Sequence, residues 1–417
     1  MNHAVRGGLL LLALWSAARA DFGPGDVFRE YAWTGPWVNA ANWQRVTDPE
    51  ARNAGAKKFL PNPVNKVELT DLAEAVRAEV HIEQWGGHAG TSQKRIRLNG
   101  GPWIEIPESP LMGPQRPEAY QYLKQACAAL PLAQLKAGTN TFEFTSGGQV
   151  VHDFGWGQWG VYGVTFRIYY DPARKPHAAG AVTAPAAGAS VASPVALAAD
   201  VKTAPGGAAV RQVDFIGFYD DFNWEGDGQW RRWHYTYRYG KIQNHLGSAA
   251  APPWAARWDA SWAPDQAEPM KVLARITDGS GLCCVTAAVE GVRLVRPGKS
   301  VRLYKPYDVP PAWQTRAGKT HSCKVDVPDD PSRAAAARIV LTTWCGDLCD
   351  ELGINGSRLV QKVGKNHDYS ADVVLAPLAL IRRGTNTLYT KSATEHHGIE
   401  VLWPGMALLV QYDTDKP

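Results

Sequence analysis

Two stretches decide how this 417-residue chain is read: LKAGTNTFEFTSGGQVVHDFGWGQWG at residues 135–160 and LIRRGTNTLYTKSATEHHGIEVLWPG at residues 380–405. Each closes a longer series. The first follows AEVHIEQWGGH (from Ala78), RIRLNGGPWIEIP (from Arg95) and LPLAQLKAGTNTFEF (from Leu130). The second follows ARIVLTTWCGD (from Ala337), LGINGSRLV (from Leu352) and APLALIRRGTNTLYT (from Ala376). At the end of each series a His precedes a Trp at one spacing, His152 before Trp159 and His396 before Trp403. Landmarks that recur in one order with small insertions mark a duplicated domain.

The landmarks read as strands and turns. VHIEQW and IVLTTW alternate with period two, and the Asn-Gly pairs at Asn99 and Asn355 are tight turns whose second residue takes positive φ. Gly (40) and Pro (29) are plentiful, and helical periodicity is confined to short pieces such as AYQYLKQACAAL. The predicted class is all-β: two duplicated jelly-roll sandwiches separated by an immunoglobulin-like sandwich.

The order of motifs resembles the galactose-binding-type jelly rolls of secreted polysaccharide-active proteins. The middle stretch is similar to bacterial immunoglobulin-like modules, whose W-D-x-x-W turn and A-R-I-x-D strand fall here on Trp258, Asp259, Trp262, Ala274, Arg275, Ile276 and Asp278. The expected divisions are a signal peptide over 1–20, a first jelly roll over 21–171, a linker over 172–181, the immunoglobulin-like unit over 182–295 and a second jelly roll over 296–417.

Met1–Ala20 carries Arg6, the apolar run LLLLALW and the small-residue pattern Ala18-Arg19-Ala20, the layout of a secretory signal. No apolar run is long enough to span a bilayer, so an exported protein, extracellular or periplasmic and not inserted in a membrane, is expected. With 44 basic and 40 acidic residues and no long basic run, nucleic acid is a poor partner. Six cysteines (Cys127, Cys283, Cys284, Cys323, Cys345 and Cys349) permit disulfides in an exported chain, and Cys345 and Cys349 could close one loop.

Comparison of the two copies separates shared from unshared residues. Registered on Trp85 and Trp344, one strand face is apolar in both, while the other reads His81, Glu83, Trp85 in the first and Val340, Thr342, Trp344 in the second. An acid–base pair beside a Trp, with His88 close by, makes that face a candidate ligand surface; an ordinary polar strand face is the plainer alternative. HDFGWGQWG adds Asp153 and Trp156 to His152 and Trp159, and aromatic rings beside an acid suit sugar, through stacking and hydroxyl hydrogen bonds. His152 and Trp159, having counterparts in the second copy, also fit a role in the fold.

Asp221, Asn223, Glu225 and Asp227 in YDDFNWEGDGQW imitate the opening of a calcium loop, but Arg232 stands where an EF-hand would place its closing Glu. A short calcium loop and a solvated acidic turn are both open. The expected function is recognition of an extracellular polysaccharide, mainly through the first jelly roll. The alternative is a polysaccharide-cleaving lyase or glycosidase using Glu83 with His88 and Asp153, which would need a second carboxylate at catalytic separation.

Overall fold

The structure is a computed structural model in which residues 22–38, 40–108, 124–150, 155–395 and 398–415 are described. The expected signal peptide, His152, Asp153 and His396 lie outside them. The chain is all-β, and almost every element is a strand. Among the described residues no helix is long and apolar enough to cross a membrane.

The duplication is complete at the level of topology. In the first copy, strands Val27–Thr34, Gln158–Tyr170, Ala75–Trp85 and Gln125–Leu130 lie side by side in one sheet. They face a sheet of Val64–Leu69, Gly138–Thr145, Arg95–Leu98 and Ile104–Glu105. The second copy repeats this with Lys299–Tyr304, Ala407–Asp413, Ala334–Trp344 and Tyr369–Leu375 against Lys319–Val327, Gly384–Ser392, Glu351–Ile354 and Ser357–Val360. Period-two alternation drives the packing: Val80 and Ile82 point into the first core with Phe142, Phe144 and Phe166, as Ile339 and Leu341 point into the second with Leu388 and Leu408. A bulge between Val161 and Gly163 shifts the alternation, so Trp159 and Val161 face the same core as Val164, Phe166 and Ile168.

The G-T-N-T signature is a turn lock. Asn140 is fully buried, and its Nδ2 donates to the carbonyls of Lys136 (2.6 Å) and Gly138 (2.9 Å) while its Oδ1 accepts from the Lys136 amide (3.0 Å) and from Asn99 Nδ2 (2.8 Å). Asn386 does the same with Arg382, Gly384 and Asn355. Asn99 and Asn355 both have φ 51°, followed by glycines at 73° and 82°, so the Asn-Gly turn of each copy presents the side chain that completes the lock.

The ladders revise one equivalence. Trp85 lies opposite Gly160, whereas Trp344 lies opposite Glu400. Trp159 therefore corresponds to Ile399, and Trp403 falls in the break between strands Ile399–Val401 and Ala407–Asp413, where the first copy runs one unbroken strand. Trp159 and Trp403, which share a spacing from a preceding His in the sequence, thus occupy different places in the two copies.

The middle unit packs strands Val210–Asp220, Met270–Asp278, Leu282–Val285 and Val289–Leu294, with a small sheet of Ala179–Ala184, Val195–Lys202 and Ala255–Trp258 beside them. Its Leu282–Val285 pairs directly with Val27–Thr34, joining Val27 to Cys284 and Phe28 to Cys283. One sheet thus runs through the first copy and the middle unit. The Arg of the A-R-I-x-D strand helps hold the join, since Arg275 pairs with Asp214 (2.8 Å) and with Glu30 of the first copy. The segment expected as a linker is tied down: Lys175 Nζ lies 2.8 Å from Asp71 and 4.3 Å from the Tyr170 ring centre, Ala178 is buried, and strand begins at Ala179. All six cysteines are buried, and Cys345 Sγ accepts a hydrogen bond from the His367 amide at 3.2 Å.

Candidate functional site

The face carrying His81, Glu83 and Trp85 is closed off by the rest of the chain. Period two aims these side chains away from the first core, as expected, but both other units cover them. Trp85 stacks on Trp344, its counterpart in the second copy, with ring centres 4.2 Å apart and planes 11° apart. Trp85 Nε1 donates to Glu400 at 2.8 Å, and Trp344 Nε1 donates to the Tyr162 hydroxyl at 2.7 Å. The repeat thus packs its copies together through the same tryptophan of each, a contact worth about 0.5–1.5 kcal/mol beyond its buried area.

Glu83 sits beneath the Tyr239-Gly240 turn of the middle unit. That turn joins Thr236–Arg238 to Lys241–Gln243 with φ 50° and 73°, and a Cβ on Gly240 would come 2.2 Å from Ala32 Cβ, so only glycine lets the turn approach so closely. Burial pushes the Glu83 carboxyl up to about 8, against the downward pull of Arg238 and of the Tyr239 and Gly240 amides. It holds its proton at neutral pH and is no base there. His81 lies against Tyr237, ring centres 5.5 Å apart, and takes a 3.1 Å hydrogen bond from Arg167. Glu79, His81 and Cys127 bring ligand-type atoms together, but Arg167 also pairs with Glu79, and a guanidinium on two of the three groups leaves no place for a cation.

His88 and Trp156 do meet, in another place. Their rings lie 5.1 Å apart, His88 Nδ1 is 3.0 Å from the Trp156 carbonyl, and the indole packs over Gly55 of the short helix Ala54–Lys57. Burial holds His88 down at about 4, so it is neutral at pH 7. Trp159 is fully buried against Phe144, an element of the core and not a sugar platform.

The chain itself brings cations to the acidic loop. Asp227 pairs with Arg232 and accepts the Gln229 amide, Asn223 Oδ1 accepts the Gly226 amide at 3.0 Å, and Asp221 Oδ2 accepts the Trp224 indole at 3.1 Å. Glu225 faces the field of buried Lys124, whose amide donates to the Glu225 carbonyl at 3.1 Å. The carboxylates of Asp221, Glu225 and Asp227 do not converge on one point. These residues do not fit a calcium cage: crowded carboxylates must be neutralised, and Lys124 and Arg232 do it.

Where the three units meet, a cleft of about 560 Å³ opens. The first copy contributes Trp37, Asn42, Lys124 and Gln125; the middle unit Trp224, Glu225, Tyr237, Arg238, Tyr239 and Asn244; the second copy Thr342, Lys365, Asp368 and Tyr369. An adjoining hollow of about 320 Å³ shares Trp224, Glu225, Thr236 and Asn244. Gln125 ties the wall together, donating to the Tyr237 carbonyl (3.1 Å) and the Tyr369 hydroxyl (3.4 Å). Arg238 pairs with Asp368 and lies over the Tyr239 ring, 4.1 Å from its centre. Trp37, on the hairpin of Trp37–Val38 with Ala41–Asn42, is 68% exposed at this cleft. Lys124 and Glu225 are buried in its wall, and burial draws the lysine down to about 8 and the glutamate up. Of these residues only Glu225 stands out in the sequence, as part of the acidic loop. Tyr-Arg-Tyr-Gly at 237–240, aromatics around a cation just before a turn glycine, is the signal that could have pointed to the others.

No family model matches the chain, and no curated protein matches it. Solved structures give distant matches. A β-porphyranase of glycoside hydrolase family 86 from the human gut bacterium Bacteroides plebeius is 13% identical over 49% of this chain and 30% of its own, with a TM-score of 0.22. A carbohydrate-binding module of the β-sandwich superfamily is 11% identical over 58% of this chain and 97% of its own, with a TM-score of 0.16. The native α-2-macroglobulin of E. coli is 8% identical over 89% of this chain and 23% of its own, with a TM-score of 0.20.

Proposed function

We propose that this is an exported glycan-binding protein whose site is the cleft at the junction of its three units. The observation that carries the reading is Trp37, a large ring 68% exposed at the edge of a polar cleft that also presents Asn42, Gln125, Asn244 and the Tyr239 ring. An open indole at a cleft edge is free to stack on a ligand, and a pyranose offers a flat apolar face ringed by hydroxyls that amides and phenols can bind. Binding is favoured over cleavage because, of the two carboxyls that line the cleft, Asp368 is ion-paired to Arg238, which leaves Glu225 alone where glycoside cleavage calls for a pair, and Glu83 is sealed beneath the turn with its proton. Export rests on the signal-like segment at residues 1–20.

The test is retention of the mature protein on a panel of immobilised polysaccharides, with release of reducing or unsaturated ends followed in parallel. Retention without release is expected. Trp37→Ala should weaken retention about tenfold or more, as stacking platforms lose roughly 1–3 kcal/mol on truncation, while leaving the melting temperature within about a degree because the ring is exposed. Failure of every polysaccharide to retain the protein would remove the reading.

A further inference from the structure

Among the described residues, five charged side chains line the cleft: the cations Lys124, Arg238 and Lys365 and the anions Glu225 and Asp368. They differ in what they show to a ligand. Lys124 and Glu225 are buried, Lys124 Nζ and Glu225 Oε2 have almost no surface open to solvent, and each lies in the other's field, so this pair belongs to the wall. Asp368 is buried as well, and its Oδ2 is shared by two cations, paired with Arg238 and 3.8 Å from Lys365 Nζ. Of the five, Lys365 alone is open, with 61% of its side chain exposed.

One carboxylate between two cations leaves a positive surplus, and the surplus sits on the group that solvent already reaches. Asp372 also lies in the field of Lys365, but it does not line the cleft: the Thr343 and Ser370 hydroxyls hold its carboxyl, and burial lifts it toward its neutral form. An exposed ammonium 3.8 Å from a carboxylate that a guanidinium already holds makes a loose, screened contact, and an entering anion competes for it at little cost. A uronate carboxylate or a sulfate ester arriving there gains a charge-assisted hydrogen bond. A neutral ring offers Lys365 only hydroxyls in place of water.

We infer that the cleft prefers acidic glycans and that Lys365 is its specificity-determining residue: one ring stacks on Trp37 while Lys365 donates to a carboxylate or sulfate ester on the same sugar chain. This deepens the glycan reading above and rests on it. A lysine suits the role, since a point charge on a flexible stem reaches an anionic group without demanding the fixed two-pronged geometry of a guanidinium.

The experiment measures the affinity of the protein for soluble polymers bearing carboxylates (polygalacturonate, alginate), sulfate esters (dextran sulfate, carrageenan) or neither (β-glucan, galactomannan), at low and high salt. An acidic polymer should bind best, with an affinity that falls about threefold or more as salt rises, and the class that binds tells carboxylate from sulfate. Lys365→Gln should weaken that binding about threefold or more and flatten its salt dependence, while Lys365→Arg should keep both. Lys362→Gln removes an exposed lysine of the same loop that does not line the cleft, and should change the affinity by less than about twofold. All three substitutions are at exposed positions and should leave the melting temperature within about a degree. Best binding by a neutral polymer, or acidic binding that Lys365→Gln leaves unchanged, overturns the inference and leaves the glycan reading standing. Acidic binding that Lys362→Gln weakens as much as Lys365→Gln, and that Trp37→Ala does not weaken, is adsorption by charge alone and removes both. Absence of binding to every polymer also removes both.

Discussion

Glu83 carries the clearest chemistry at the scale of single residues. Its carboxyl is pushed from 4.5 to about 8 by burial, so between those values the folded protein keeps a proton that the unfolded chain releases. Stability contributed by this residue is therefore full below about pH 4.5, falls as pH rises by up to about 1.4 kcal/mol per unit, and is lost above about pH 8. Glu83→Gln keeps the shape and removes the proton. The difference in denaturant midpoint between the two proteins should grow in the variant's favour from about pH 5 to pH 8. A constant difference across that range would mean that the carboxyl is not sealed beneath the Tyr239-Gly240 turn. The sequence showed which way Glu83 points, because alternation fixes a face. It could not show that the face is covered, because the covering residues, Tyr239 and Gly240, come some 155 positions later and leave no trace in the strand itself.

At the scale of elements, the repeated turn lock and the acidic loop give separate tests. Asn140→Ala removes four hydrogen bonds from a fully buried side chain and should cost about 2–4 kcal/mol, with Asn386→Ala matching it in the second copy. Thr139→Ala loses one exposed hydrogen bond to Glu68 and should cost under about 1 kcal/mol. Equal losses at Thr139 and Asn140, read by chemical denaturation, would contradict the lock. The acidic loop should be indifferent to chelation: with Arg232 and Lys124 in place of a metal, the melting temperature should be the same with and without a calcium chelator, and a fall would restore a metal to the loop. The lock was legible because it is written twice. The loop was ambiguous, since oxygen-rich spacing looks alike whether the neutralising cation is an ion or a lysine brought from elsewhere in the chain.

At the scale of the whole molecule, the three units behave as one body. The sheet that passes from Val27–Thr34 into Leu282–Val285, and the stacked Trp85 and Trp344, tie first to middle and first to last. A cut after Arg174 or Lys175 should leave the pieces together on gel filtration, because Lys175 is anchored to Asp71 and the sheet continues across the join. Release of a free first domain would contradict the continuous sheet. Duplication and the all-β class could be read from landmarks and alternation. The junction cleft could not, because it exists only after the copies have packed against each other and the middle unit has closed over both. The most direct measurement is hydrogen exchange of the protein with and without a polysaccharide that retains it. Slowed exchange over residues 236–244 and 365–371, with 81–88 and 155–160 unchanged, is the result expected for a glycan lying in the junction cleft. Protection confined to 81–88 and 155–160 would contradict it and return the binding face to the first copy alone.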